Sequence, residues 1–150
     1  MGRKLINAKK TTYKGKNFQS RLEVHMFKLF DDAGINIRYE EEVFTIINRF
    51  HFPNASYEKT INSKNSLVNK GEKTHLAITY KPDFTIDVNG VKIIIETKGI
   101  FTDRAQMVWK LFKKYISDNE LNYVLYMPRN QKQNEWVFNE VLSLINNSEK

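Results

Sequence analysis

An α/β fold around one hydrophobic core is what this sequence predicts, on three observations. Helical periodicity recurs in three separate stretches, a β-hairpin signal lies between the first and the second, and a short apolar strand divides the second from the third. The expected order is helix, strand region, hairpin, helix, strand, helix. It forms a single domain over residues 17–150, behind a basic flexible arm at residues 1–16. With 150 residues, 41% hydrophobic and 13% aromatic, the chain holds enough apolar side chains for an ordinary core.

The arm comes first. Residues 1–21 contain Arg3, Lys4, Lys9, Lys10, Lys14, Lys16 and Arg21 and no acidic residue, which leaves 17 basic against 17 acidic residues elsewhere and places the whole formal charge of +7 here. Such a segment neutralises phosphates by counterion release and gains order as it binds. A solvated terminus is the plainer alternative; the complete lack of acid favours nucleic acid. A helix follows from about Asn17 or Ser20 to Ala33, with Gly34 as its stop and Leu22, Met26, Phe27, Leu29 and Phe30 on its apolar side. Glu23 sits on or beside that side, where an unsatisfied carboxylate is costly. Ser20-Arg21-Leu22-Glu23 fits a capping box in which Glu23 folds back onto the Ser20 amide, and a metal or catalytic role is the other reading; the helix pattern leaves both open. His25 has no partner at metal-ligand spacing.

Residues 35–50, INIRYEEEVFTIINRF, interleave β-branched and aromatic residues with charges and predict one strand or a bent pair. Residues 51–75 are rich in Asn, Ser and Lys without sustained periodicity, which predicts a loop or mobile insertion. The hairpin occupies residues 80–99, YKPDFTIDVNGVKIIIETKG, because Asn89-Gly90 suits the positive φ angles of a type I′ turn. A two-residue turn sets Val88 opposite Val91, Ile86 opposite Ile93, Phe84 opposite Ile95 and Asp83 opposite Glu96. Alternation then puts Phe84, Ile86, Val88, Val91, Ile93 and Ile95 on a core face, and Lys81, Asp83, Thr85, Asp87, Lys92, Glu96 and Lys98 on the other. Two carboxylates with Cβ atoms about 5 Å apart repel each other, and a divalent cation between them is the simplest compensation.

Thr102 predicts the N-cap of a second helix reaching about Ile116, with Asp103 favourable in its first turn. Its apolar side is Ala105, Val108, Leu111, Phe112 and Tyr115, while Arg104, Lys110, Lys113 and Lys114 remain for solvent or phosphate. Residues 121–127, LNYVLYM, read as a strand ended by Pro128, and a last helix is expected from about Asn134 to Ile145 after a polar loop. The chain has no cysteine, which excludes disulfide scaffolds, zinc ribbons and thiol catalysis. Its apolar runs are short and its basic start lacks an apolar h-region, so no membrane partner and a cytoplasmic location are expected.

The polar hairpin face reads as a site. Asp83 and Glu96 can bind one or two Mg²⁺ ions through hard oxygen donors, and the Thr97 carbonyl lies between Glu96 and Lys98 as a further ligand. Lys98 points the same way as Glu96, where an ammonium orients or deprotonates a water, or stabilises charge on a pentavalent phosphate. Pro82-Asp83 followed by Glu96-Thr97-Lys98 resembles the PD-(D/E)xK pattern of a large nuclease superfamily. That resemblance implies a restriction-endonuclease-like αβββαβ core with a mixed central sheet flanked by helices.

Over roughly residues 17–112, with its basic arm, NFQSRLE, RYEEE, YKPDF and IIETKG, the chain also resembles phage endonuclease I-type Holliday-junction resolvases. Carried over by motif, the resemblance implies that Glu23, Asp83, Glu96 and Lys98 are catalytic and that Asp83, Glu96, Thr97 and Glu23 hold Mg²⁺, with Mn²⁺ substituting. It further implies branched or duplex DNA as substrate and a homodimer with an exchanged β segment, in a bacterial or phage-infected cell. The segment between Glu42 and Tyr80 is longer than that family needs. A general nicking or DNA-degrading endonuclease is the alternative within the enzyme class. A catalytically inactive nuclease-fold DNA-binding protein is the alternative outside it.

Overall fold

The computed structural model describes residues 10–147, so Arg3, Lys4 and Lys9 of the expected arm lie outside the described residues. The protein is a mixed α/β structure with three helices, a four-stranded mixed sheet and several two-stranded sheets. Its contacts divide it into two compact units, residues Phe44–Tyr80 and the remainder.

In the larger unit β1 (Thr11–Tyr13) and β2 (Lys16–Phe18) form an antiparallel hairpin, so the described end of the expected flexible arm is ordered. Its turn carries Lys14 and Gly15 at φ 47° and 78°, and the Lys14 ammonium is 2.6 Å from Asp31. Phe18 enters the core at 1% exposure, so the chain is anchored before the first helix starts. Helix α1 (Arg21–Asp32) begins at Ser20, whose hydroxyl accepts the Glu23 N–H at 3.2 Å, and Gly34 follows its end in the left-handed conformation, φ 71°.

After α1 come β3 (Arg38–Tyr39), then β4 (Phe44–Ile47), β5 (Phe50–Phe52), β6 (Tyr57–Glu58), β7 (Val68–Asn69), β8 (Lys73–His75) and β9 (Ile78–Tyr80). The larger unit resumes with β10 (Phe84–Val88) and β11 (Val91–Ile95), whose register is the expected one, Phe84 against Ile95, Ile86 against Ile93 and Val88 against Val91. Asn89 and Gly90 take φ 50° and 75°, the double positive φ of a type I′ turn. Helix α2 (Asp103–Asp118), β12 (Tyr123–Tyr126) and α3 (Gln131–Asn147) complete the chain. The sheet order is β12-β11-β10-β3, with β12 parallel to β11 and the other neighbours antiparallel.

The inward hairpin face supplies Phe84, Ile86, Val88, Ile93 and Ile95 to the core, against Phe18, Met26, Phe27 and Phe30 from one side of the chain and Val137 and Val141 from α3. Burying each such side chain fully contributes about 1.5–3 kcal/mol of transfer free energy. α1 and α3 are also tied by the Asn134 amide, which donates to the Leu22 carbonyl at 3.0 Å, and by the edge-to-face pair Phe30 and Phe138. Thr102 caps α2 as expected, accepting the Ala105 N–H at 3.2 Å. The last helix starts three residues earlier than expected. Asn130 accepts the Gln133 N–H at 2.9 Å and Gln133 accepts the Arg129 N–H at 2.7 Å, so the polar stretch read as loop is a capped helical turn.

The smaller unit corrects the expected loop at 51–75. Its six strands pair in nested fashion, β4 with β9, β5 with β8 and β6 with β7, all antiparallel, making one interrupted two-stranded ribbon. Gly71 explains why the chain can close there. A Cβ at this position would stand 1.9 Å from the Asn54 carbonyl oxygen, which also accepts the Glu72 N–H at 3.0 Å.

Candidate active site

The site grows from two facts about the hairpin. Asp83 immediately precedes β10 and Glu96 immediately follows β11, so paired neighbouring strands deliver two carboxylates to one end of the sheet. Both are buried, at 9% and 4% exposure, where ionised groups are costly unless partnered. The Asp83 carboxylate accepts the Thr97 N–H at 2.8 Å and the Thr97 hydroxyl at 2.9 Å. The Glu96 carboxylate accepts the Asp83 N–H at 3.3 Å and lies 2.9 Å from the Lys98 ammonium. The expected grouping of Asp83, Glu96, Thr97 and Lys98 is therefore brought together by direct contacts.

Glu23 arrives from the first turn of α1 and is 6% exposed. Its carboxylate accepts the Tyr39 hydroxyl at 2.6 Å and the Gln19 N–H at 2.9 Å. The capping box is thus displaced by one residue, with Gln19 rather than Ser20 as the donor. Tyr39 is a site residue that the sequence pattern did not expose, since its partner is 16 positions away on a different element. Glu40, at φ 50°, turns the chain beside the site and donates its N–H to the Asp83 carbonyl at 2.8 Å, while its carboxylate is 3.7 Å from Lys81.

The charges feel one another. Burial pushes the Asp83 carboxyl up to about 8, with Glu96 and Glu23 acting in the same direction against the Thr97 hydrogen bonds. Burial also raises Glu23, against the Tyr39 and Gln19 hydrogen bonds. Burial opposes the Lys98 ammonium, yet Glu96, Asp83 and Glu23 outweigh it and hold its pKa above the usual lysine value. A group raised in the folded state favours folding below its unfolded pKa and loses that contribution as pH rises through the folded value. In EDTA, the Asp83 contribution to stability should therefore decline from the ordinary carboxylate range up to about pH 8. Melting curves of Asp83→Asn should show a flatter decline over that window; an unchanged slope would contradict it.

Three hard oxygen acids near one ammonium suit a divalent cation in donor chemistry, and such an ion would relieve the repulsion that adds to the effect of burial on Asp83. Asp83, Glu96 and the Thr97 carbonyl would hold it, with Glu23 adjoining. Among the described residues no three His, Cys, Asp or Glu side chains are grouped as a ready-made metal cluster.

The basic residues expected to meet DNA divide into two sets. Lys14 pairs with Asp31 and Lys16 lies over the Phe27 ring at 5.1 Å, so both help to fasten β1–β2 to α1. Lys10 and Arg21 are exposed, as are Arg104, Lys110, Lys113 and Lys114 on α2. Lys114 pairs with Asp118, and Lys113 lies over the Trp109 ring. No described helix is long and apolar enough to cross a membrane.

The chain belongs to DUF1064, a protein family of unknown function, whose sequence model matches residues 3–132. No curated protein and no solved structure matches it.

Proposed function

We propose that this protein is a Mg²⁺-dependent, structure-selective DNA endonuclease of the Holliday-junction resolvase type, acting as a homodimer on branched DNA. The observation that carries this reading is the burial of Asp83 and Glu96 at the ends of adjacent central strands, with Lys98 against Glu96 and Glu23 close by. A protein that only bound DNA would gain nothing from burying opposed acids that repel its ligand. The order α1, β3, β10, β11, α2, β12 supports the restriction-endonuclease-like core that the PD-(D/E)xK resemblance implies.

When bound, a divalent cation supplies electrophilic stabilisation of the phosphate and lowers the pKa of a water. The protein does the rest. Asp83 and Glu96 present carboxylate oxygens from a rigid hairpin, and the Thr97 hydrogen bonds fix the orientation of Asp83. Tyr39 and Gln19 fix Glu23. Lys98 keeps its proton beside three acids, so it offers positive charge to the developing charge on the scissile phosphate.

Cleavage of a four-way junction, a linear duplex and single-stranded DNA, side by side in Mg²⁺, Ca²⁺ and EDTA, tests the proposal. The expected result is junction cutting in Mg²⁺ only. Equal cutting of all three substrates would favour a general nuclease, and binding without cutting in any metal would favour a non-catalytic DNA-binding protein.

The basic N-terminal residues are expected to add affinity. Truncation must stop before Thr11, because β1 is part of the fold. Deleting residues 2–9 removes Arg3, Lys4 and Lys9 and should make the log K against log salt slope for duplex DNA shallower by about two to three, at about 0.9 per phosphate. Superimposable salt titrations would show that these residues contribute nothing.

A further inference from the structure

None of the residues named at the site above lies in the ribbon of residues Phe44–Tyr80, whose charges are mostly of one sign. It holds Arg49, Lys59, Lys64, Lys70 and Lys73 against only Glu58 and Glu72. All five basic side chains are exposed, and among the described residues none of the five is in an ion pair. Phe50, Tyr57, Leu67, Val68 and Ile78 are exposed as well, at 48%, 64%, 59%, 43% and 39%. At its tip the Ser63 hydroxyl accepts the Thr60 N–H at 2.8 Å and donates to the Thr60 carbonyl, and this tight turn leaves Ile61 fully exposed at 103%.

A two-stranded ribbon on its own is at best marginally stable in water, so contact with a partner would add to the stability of this one. We propose that it lies in the major groove of duplex DNA, with its lysines on the flanking phosphates and Ile61 against base edges. This rests on the DNA reading above and adds to it a recognition element made of residues other than those of the cleavage site. Four features select this occupant. The major groove, about 12 Å wide, admits a two-stranded ribbon. At about 3.3 Å per residue the paired stretch from Phe44 to Glu58 extends over at most roughly 45–50 Å, comparable with the roughly 34 Å axial rise of one helical turn. The charge also discriminates, because two copies of this ribbon would set like charges against each other, whereas a polyanion meets five unpaired cations. The apolar tip suits the groove too, since thymine methyl groups are the apolar features of its floor.

The test uses the full chain with Lys59, Lys64, Lys70 and Lys73 all changed to Gln, exposed positions whose replacement leaves packing intact. Binding to a duplex longer than two helical turns in Ca²⁺ is titrated with salt, and guanine N7, which lies in the major groove, is probed with dimethyl sulfate. The wild type should protect N7, while the variant should lose that protection and show a slope shallower by roughly three. Ile61→Ser, which alters no charge, should weaken binding severalfold without changing the slope. Identical slopes and footprints for wild type and the lysine variant would overturn the proposal while leaving the nuclease reading in place. So would an unchanged slope accompanied by an altered sedimentation coefficient of the free protein, which would assign the ribbon to self-association. Failure of the wild type to bind DNA at all would overturn both readings.

Discussion

Asp83→Ala, Glu96→Ala and Lys98→Ala are each expected to slow junction cleavage on the order of a hundredfold or more, while junction binding in Ca²⁺ is retained. All three side chains belong to the polar end of the hairpin rather than to its packed face, so their removal leaves the Phe84, Ile86, Ile93 and Ile95 core in place. Their effects on binding should differ in sign. Removing Asp83 or Glu96 takes negative charge from the neighbourhood of the scissile phosphate and should tighten binding or leave it unchanged. Removing Lys98 should weaken it modestly, and also leaves the buried Glu96 carboxylate without its ammonium partner. A junction-cleavage time course with purified variants decides the matter, and wild-type turnover by Asp83→Ala would end the assignment.

The second large effect concerns Glu23. Glu23→Gln keeps an acceptor for the Tyr39 hydroxyl and the Gln19 N–H while deleting a charge that burial disfavours. The variant should therefore melt at or above the wild-type temperature, whereas outright loss of a cap costs about 1 kcal/mol. Cleavage should collapse, or require much more Mg²⁺. Unchanged turnover with normal metal dependence would return Glu23 to a purely structural role. Tyr39→Phe is the companion variant. It removes one of the two donors that orient Glu23 and leaves a buried carboxylate with fewer partners, so it should produce a smaller fall in turnover together with a lower melting temperature.

Much of this architecture was legible because local chemistry and global fold agree. Asn89-Gly90 sets the hairpin register, and alternation along Phe84–Val88 and Val91–Ile95 then separates the core face from the acidic end. Ser20 and Thr102 mark their helices because a side-chain cap leaves a one-residue signature. The ribbon was not legible for the opposite reason. Its strands are two to four residues long and their partners stand up to 36 positions away, so Asn, Ser and Lys dominate the local pattern while the pairing that orders them is remote. Tyr39 was missed similarly, being one of only two residues in β3. The start of α3 was hidden because its first turn is entirely polar and carries no apolar period. The order found at residues 11–18 depends on Phe18 reaching the core and on Lys14 meeting Asp31, contacts that a run of basic residues does not announce.

Cleavage of the proposed kind depends first on a divalent cation held by the acids at the strand ends. Calorimetric titration of Mn²⁺ into the metal-free protein, with Asp83→Ala and Glu96→Ala titrated in parallel, measures it without DNA or turnover. The expected result is saturable binding by the wild type that is lost in both variants, with all three proteins giving the same folded far-ultraviolet spectrum. Binding of equal strength in wild type and variants, or no binding by a folded wild type, would contradict it.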